Sequence, residues 1–305
     1  MDRADITPAL ACQLIAAQFP KWARLPVRPV DLVGWDNTTF RLGDHLVVRL
    51  PSAEKYVAQV EKEHRWLPIL APQLGLPIPA PVARGRPGSG YPWPWSIYRW
   101  LDGEPATPER IEDMSVFAID LARFLASLYT IDPTGGPLPG SHNFFRGGDL
   151  RTYDKQTRQC IALLAEQVDA RFATEVWEAA LSTVSRPSSV WVHGDVAPSN
   201  LLVSRGRLSA VIDFGCSAVG DPACDLAMAW TFFVGKSRAV FRNALDFDDE
   251  TWARGRAWAM WKALSTLAQS EMNRADPDVA AQRFGWRGGP RDVIDEVFAD
   301  HASSG

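Results

Sequence analysis

Between residues 190 and 215 the chain reads Val190-Trp191-Val192-His193-Gly194-Asp195-Val196-Ala197-Pro198-Ser199-Asn200-Leu201-Leu202-Val203-Ser204-Arg205-Gly206-Arg207-Leu208-Ser209-Ala210-Val211-Ile212-Asp213-Phe214-Gly215. Val190–Val192 is β-branched and aromatic and reads as a strand running into a loop. Leu201–Val203, a turn over 204–207 and Leu208–Ile212 read as a hairpin. The sequence on either side is helical in period, so this is a short sheet planted among helices. Such a sheet lets its two loops face the same spot, and both loops carry a carboxylate: Asp195 in the first, Asp213 in the second.

The order of these residues resembles the kinase signature: a catalytic aspartate, an asparagine five residues on, a strand pair, then Asp-Phe-Gly. Phosphoryl transfer needs a carboxylate to orient the attacking hydroxyl and accept its proton, a role the resemblance gives to Asp195. It also needs hard oxygen ligands for Mg2+ bridging the phosphates, which would be Asn200 and Asp213. Each piece alone has an ordinary reading, because Asp and Asn bond their own backbone in turns and Asp-Phe-Gly can simply end a strand. Both pieces in order, with a hairpin between them, point to a site.

Working outward toward the N-terminus, Asp31–Val33, Thr38–Arg41 and Leu46–Leu50 read as strands, with a turn at Gly34-Trp35-Asp36-Asn37 and a stop at Pro51. From Ser52 to Leu70 the period becomes helical, with Ser52 as the expected cap and Val57, Val60, Leu67 and Leu70 on one stripe. Glu63 falls on that stripe, where an ionised carboxylate is costly without a partner. Arg49, at the end of the preceding strand, is the natural candidate. Glu61 and Lys62 lie off the stripe and read as solvated. Pro72, Pro77, Pro79 and Pro81 make a stiff extended connector. Strand character returns around Val82 and over Trp95–Trp100, then Leu101–Pro105 breaks regular structure. The expectation is an α+β, bilobal chain: residues 1–100 form a small antiparallel sheet plus one helix, and 101–305 a larger helical part.

In that second part Met114, Phe117, Leu121, Phe124, Leu125 and Leu128 mark a strongly amphipathic helix. Residues 150–168 and 171–184 suggest two more, Ala257–Leu267 another, and Val293–Phe298 a last. Hydrophobic residues make up 46% of the 305 and charged residues 22%, too apolar for disorder. Thirty-two Lys+Arg against 36 Asp+Glu give a net charge of −4, which argues against a nucleic-acid binder. No apolar run reaches the ~20 residues of a membrane span. Asp2, Arg3, Asp5 and Lys21 spoil any signal-peptide pattern, and four cysteines without ligand spacing read as reduced thiols. A cytoplasmic protein without an obligate protein partner is expected. Thirteen Trp beside 5 Tyr is an unusual aromatic load.

With these residues in hand, the chain resembles the aminoglycoside phosphotransferase family, the antibiotic- and choline-kinase branch of the protein-kinase-like fold. The resemblance rests on His193-Gly194-Asp195, where protein kinases have His-Arg-Asp, and on Gly220-Asp221-Pro222-Ala223-Cys224-Asp225-Leu226-Ala227 shortly after Asp-Phe-Gly. It is specific over 190–230, looser over 30–105 and only general from 231 onward. It implies Asp195 as base, Asn200 and Asp213 as magnesium ligands, and Arg49 with Glu63 gripping the triphosphate of ATP or GTP. His193 would brace the catalytic loop and Asp225 prop it. Ser96–Trp100, with Tyr98 and Trp100, would form a hinge offering backbone to the purine, and Gly34 would lie in the turn over the phosphates, the nucleotide sitting between the lobes.

Two departures stand out. Arg49 replaces the lysine common in the family, with Lys55 as a fallback cation. The Gly34–Thr39 turn has a single glycine, which argues against a protein kinase and suits a small-molecule kinase. The resemblance implies transfer to a hydroxyl of an antibiotic, of aminoglycoside or macrolide type. The alternatives are a metabolite kinase acting on choline, homoserine or an amino sugar, and a non-catalytic pseudokinase. For the acceptor, Asp246, Asp248, Asp249 and Glu250 would suit a cation, and Trp230, Phe232, Phe233, Trp252, Trp258 and Trp261 a lipophile. The plain readings of these two groups are a solvated helix start and core.

Overall fold

Thr7 and Pro8 start the first helix: the Thr7 Oγ1 accepts the Leu10 N–H at 3.2 Å, and Pro8, which has no N–H to lose, takes the first position. The computed structural model describes residues 1–30, 34, 36–183 and 189–303. The expected strand at Asp31–Val33, Trp35 of the expected turn and the end of the helix expected over 171–184 lie outside the described residues. The chain divides into two compact units, Met1–Asp102 with Val211–Cys216, and Gly103–Ala210 with Ser217–Gly305. The first unit is therefore discontinuous in sequence.

The first unit contains α1 (Pro8–Gln18), β1 (Val27–Pro29), β2 (Asn37–Leu42), β3 (Leu46–Pro51), α2 (Val57–Leu70), β4 (Pro81–Gly85) and β5 (Trp95–Arg99). Its strands form one antiparallel sheet in the order β1-β2-β3-β5-β4. Alternation along β3 sends Val48 and Leu50 into a core with Leu14 and Ile15 of α1, Phe40, Trp95 and Ile97. Arg49, between them, points to the opposite face, where Glu63 of α2 meets it.

Two expectations are corrected here. Among the described residues the unit has two α-helices rather than one; α1 is apolar nearly all round and shows no stripe, and only Thr7-Pro8 signals its start. Ser52 does not cap α2, which follows a 3-10 turn at Glu54–Tyr56 and starts without a side-chain cap. Ser52 instead donates from Oγ to the Asp36 carbonyl at 3.1 Å, tying the end of β3 to the turn before β2.

The second unit contains β6 (Glu104–Pro105), α3 (Met114–Tyr129), α4 (Asp154–Leu163), α5 (Ala170–Leu181), β7 (Val190–Val192), β8 (Leu201–Ser204), β9 (Arg207–Val211), β10 (Ala218–Gly220), α6 (Met228–Thr231), α7 (Gly235–Ala244), α8 (Asp249–Asn273), α9 (Pro277–Phe284) and α10 (Pro290–Ser303). Two small sheets, β10-β7 and β6-β8-β9, lie among the helices. Short acidic caps set several helix starts: Asp113, Asp169, Asp248 and Asp276 each accept backbone N–H groups. The central helix α8 is buried on most of its circumference, and Trp252 and Trp258 on it are almost fully enclosed. The tryptophan load is thus largely core, with Trp95, Trp177 and Trp191 enclosed as well.

Gly85 faces Trp95 across the β4–β5 pair, and a Cβ added at Gly85 would lie 2.0 Å from the indole ring. The same edge of the indole is held in place by Nε1 donating to the Arg86 carbonyl at 3.1 Å. Gly85→Ala is expected to lower stability by about 1–3 kcal/mol through overpacking. Urea denaturation followed by tryptophan fluorescence measures this, and an unchanged midpoint would show that Trp95 has room to move.

Candidate active site

In the first unit the site is built on a buried cation. Arg49 Nη1 lies 3.2 Å from Glu63 Oε1, and Nη2 lies 2.8 Å from Asp213 Oδ1. The Tyr98 hydroxyl donates to the other Glu63 oxygen, so the carboxylate is held by two elements, β3 and β5. Burial opposes the charge on Arg49, but Glu63 and then Asp213 hold its pKa well above the ordinary value. Burial and the nearby Glu63 push the Tyr98 phenol up. Lys55 takes no part in this cluster: it is exposed and stands over the Tyr56 ring at 4.9 Å.

The strap that delivers Asp213 is fixed by further contacts. Val211 N–H donates to the Pro77 carbonyl at 3.1 Å, and Lys62 Nζ donates to the Gly215 carbonyl at 2.7 Å. Lys62, expected in solvent, is only 8% exposed. The stripe argument misplaced it because α2 is covered on two sides, once by the sheet and once by the Asp213-Phe214-Gly215 turn, so its buried arc is wider than one stripe. Burial lowers the Lys62 ammonium to about 8, against the pull of Cys216, Glu63 and Asp213. Asp213 itself has a left-handed backbone with φ 66°, a conformation Asp tolerates better than most residues.

Of the other residues expected near nucleotide, Gly34 is exposed and its carbonyl accepts from the Arg3 guanidinium. Tyr98 lies within the sheet, opposite Val47 on β3 and Pro81 on β4. Trp100 N–H donates to the His45 carbonyl at 2.9 Å, and its ring lies 4.1 Å from the Arg41 guanidinium.

In the second unit the loop after β7 is shaped by a buried carboxylate. Asp225 accepts the His193 N–H at 2.9 Å and the Gly194 N–H at 2.7 Å. Gly194 has φ 83°, which explains why a residue without Cβ stands between His193 and Asp195. Buried His193 accepts the Asp195 N–H on Nδ1 at 3.3 Å, so it braces the turn from inside. Asn200 closes the loop, its Nδ2 donating to the Asp195 carbonyl at 2.9 Å and reaching Oδ2 at 3.4 Å. The Asn200 amide oxygen, which can only accept, takes no part in these bonds. Burial raises Asp225, opposed by His193 and the two backbone N–H groups.

Asp195 carries a partner that sequence reading missed. Lys262 of α8 places Nζ 2.8 Å from Asp195 Oδ1. Burial acts to raise the Asp195 carboxyl, yet Lys262, with Arg146 and His193, holds it at about 2. The signal was present in the sequence: a single lysine inside the apolar run Ala257–Leu267 must find a carboxylate or leave the helix's buried side. Arg146, from the loop before α4, was missed as well; it stacks 4.5 Å from the Trp261 ring and 5.5 Å from Trp258.

The residues considered for an acceptor take their plain roles. Asp248 caps α8 by accepting the Thr251 N–H at 2.7 Å, and exposed Asp249 pairs with Arg242 at 2.9 Å. Trp230, Phe232, Phe233, Trp252, Trp258 and Trp261 are buried. Asp221 and Pro222 open a 3-10 helix over Pro222–Ala227 as cap and first residue, and Asp221 also pairs with Arg254 at 2.6 Å.

A model of the phosphotransferase enzyme family matches residues 27–258. A Bacillus subtilis (strain 168) protein named YcbJ, described as uncharacterized, is 24% identical over 231 residues, 70% of each chain. The GDP complex of wild-type aminoglycoside 2'-phosphotransferase-IIIa superposes with a TM-score of 0.73 at 18% identity, over 97% of this chain and 99% of that one. Macrolide 2'-phosphotransferase MphH from Brachybacterium faecium, as apoenzyme, gives 0.59 at 24% identity, over 90% and 97%. At these identities the solved structures establish the fold: an antiparallel-sheet N-terminal region and a helical C-terminal region, as in aminoglycoside phosphotransferases of the protein-kinase-like fold.

The buried Lys62 sets a pH signature. Its folded pKa of about 8 lies below the ordinary 10.5, so the folded protein binds fewer protons between those values and stability rises with pH across that window. Lys62→Met is therefore expected to gain in thermal stability over the parent below pH 8 and to lose that advantage toward pH 10.5. Melting curves across this range check it; a pH-independent difference would show that Lys62 is not held charged against burial.

Proposed function

The chain belongs to the phosphotransferase enzyme family, and from that premise we propose that it is a small-molecule kinase transferring the γ-phosphate of ATP or GTP to an alcohol. The observation that carries this reading is Asp195, an ionised carboxylate presented by a rigid loop and flanked by Asn200 and Lys262. In the reaction the acceptor oxygen attacks the γ-phosphorus, the bond from that phosphorus to the β-phosphate oxygen breaks, and the hydroxyl proton passes to Asp195. The products are a phosphate monoester and a nucleoside diphosphate. A carboxylate held at about 2 is a weak base, which suits a loose transition state in which the proton leaves late. Asp195 then acts chiefly by aligning the hydroxyl.

Arg49 is the group assigned to the phosphates, oriented by Glu63 and Tyr98. Asn200 and Asp213 would hold Mg2+. An amide oxygen and a carboxylate oxygen are the hard donors that ion takes, and Arg49 engages one Asp213 oxygen without exhausting the carboxylate. When bound, the ion would neutralise charge on the phosphates. His193 and Asp225 act by holding the loop.

Among acceptors, two members of the expected acidic cluster have other partners, Asp248 as the cap of α8 and Asp249 in a pair with Arg242, which weakens the case for an aminoglycoside. The surroundings of Asp195 favour the metabolite-kinase branch of the reading. No helix among the described residues is long and apolar enough to cross a membrane.

Asp195→Ala is expected to lower turnover by about 10²–10⁴-fold while leaving nucleotide affinity unchanged. Coupled assays of nucleoside diphosphate release with ATP and with GTP, over a panel of amino alcohols, hydroxy acids, aminoglycosides and macrolides, together with calorimetric nucleotide binding, test this. Near-normal rates in the variant would remove Asp195 from its role.

A further inference from the structure

Two cations stand at the Asp195 carboxylate where a polycationic acceptor would need anions. Lys262 Nζ sits 2.8 Å from Asp195 Oδ1, so the one carboxylate presented by the loop is already neutralised. Arg146 lies next to it in the fold: its guanidinium stacks 4.5 Å from Trp261, the residue preceding Lys262, and 5.9 Å from Tyr153. The Arg146 Nε and Nη1 atoms are buried without hydrogen-bond partners. Its charge is met by the faces of Trp261 and Tyr153 and by the nearby Asp195 carboxylate, which Lys262 already engages.

The loop that carries Arg146 is held by its own contacts. Asn143, fully buried, accepts the Gly140 N–H at 2.9 Å and donates to the Arg146 carbonyl at 2.9 Å. Phe144 and Phe145, the two residues before Arg146, both adopt left-handed backbone, with φ 54° and 57°. Bulky residues in that region are strained, and consecutive ones persist only where the surroundings enforce them. The Gly147 carbonyl then accepts the Asp221 N–H at 2.7 Å. Other charges of the neighbourhood are spent: Asp225 on the His193 and Gly194 N–H groups, and Asp221 on Arg254.

We propose that the acceptor of this kinase is a hydroxylated acid, whose carboxylate or phosphate group is taken by Arg146 and Lys262 while its hydroxyl lies at Asp195. The inference rests on the phosphotransferase reading and specifies its substrate class. An incoming anion supplies hydrogen-bond acceptors that the Arg146 guanidinium lacks and draws Lys262 toward it. The Asp195 oxygen that Lys262 engages is then released to the hydroxyl. The rings of Trp261 and Tyr153 hold the guanidinium in place before the acceptor arrives, so little ordering is required on binding.

The test uses one skeleton with four charges: gluconate, glucose 6-phosphate, glucose and glucosamine, with kanamycin as a polycation. Calorimetric binding to the full chain, with and without a nonhydrolysable ATP analogue, is measured alongside turnover. One or both acids are expected to bind about tenfold or more tightly than glucose, and the amines more weakly than glucose. Gluconate against glucose 6-phosphate separates a carboxylate from a phosphate acceptor. Arg146→Met should abolish the preference and Arg146→Lys restore part of it, a rescue that a merely structural role would not give. Binding that favours the amines, equal binding by all five, or no binding by any would overturn the inference, as would an acid preference that survives in Arg146→Met. Acid binding without turnover of any acceptor would instead count against the kinase reading and leave the charge preference standing.

Discussion

The guanidinium of Arg49 is the fixed point of the first unit. A charge buried between a sheet and a helix is tolerable only with near-complete compensation, and here two carboxylates supply it from distant parts of the sequence. Glu63 anchors α2 to the sheet, Tyr98 anchors Glu63, and Asp213 anchors the returning strap. Loss of Arg49 would leave Glu63 without its cation, whereas loss of either carboxylate would leave Arg49 with one partner in place of two. The arrangement accounts for an arginine at this position: its forked guanidinium reaches both carboxylates through separate nitrogens, which a lysine ammonium on a flexible stem does with less definition.

The second unit solves a different problem. Its short strands end in a loop whose backbone N–H groups would otherwise be buried and unpaired, and Asp225 takes two of them. With that loop fixed, Asp195 is presented at a set angle and Asn200 is held against it. Lys262 reaches it from α8, a helix otherwise packed on nearly every side. Rigid placement comes from backbone satisfaction, and the charge balance from a helix far along the chain.

Much of this was legible in the sequence because it is local. The strand-loop-hairpin-loop pattern over 190–215 marks the loops of Asp195 and Asp213, one in each unit, and the conflict between Glu63's charge and its apolar stripe points to Arg49. What escaped was what depends on packing between remote segments. Lys62 looked solvated because its second cover comes from residues near 215. Ser52 looked like a cap because the turn before β2 that claims it cannot be inferred from its neighbours. Helix α1 was passed over because a helix apolar all round has no period to read. Lys262 and Arg146 are set against Asp195 only by the tertiary fold, although a lone lysine in an apolar run was a cue.

The discontinuity of the first unit bears on how the chain is made. Ribosomal synthesis delivers residues 1–102 well before Val211–Cys216, so during that interval Arg49 has only Glu63, and Lys62 has no Gly215 carbonyl to bond. The unit nearest the N-terminus therefore cannot complete its own interior until most of the other unit has been translated. Strictly one-after-the-other maturation does not suit this protein, and a nascent chain stalled before Asp213 would display a charged interior with only part of its partners for chaperones or proteases to find.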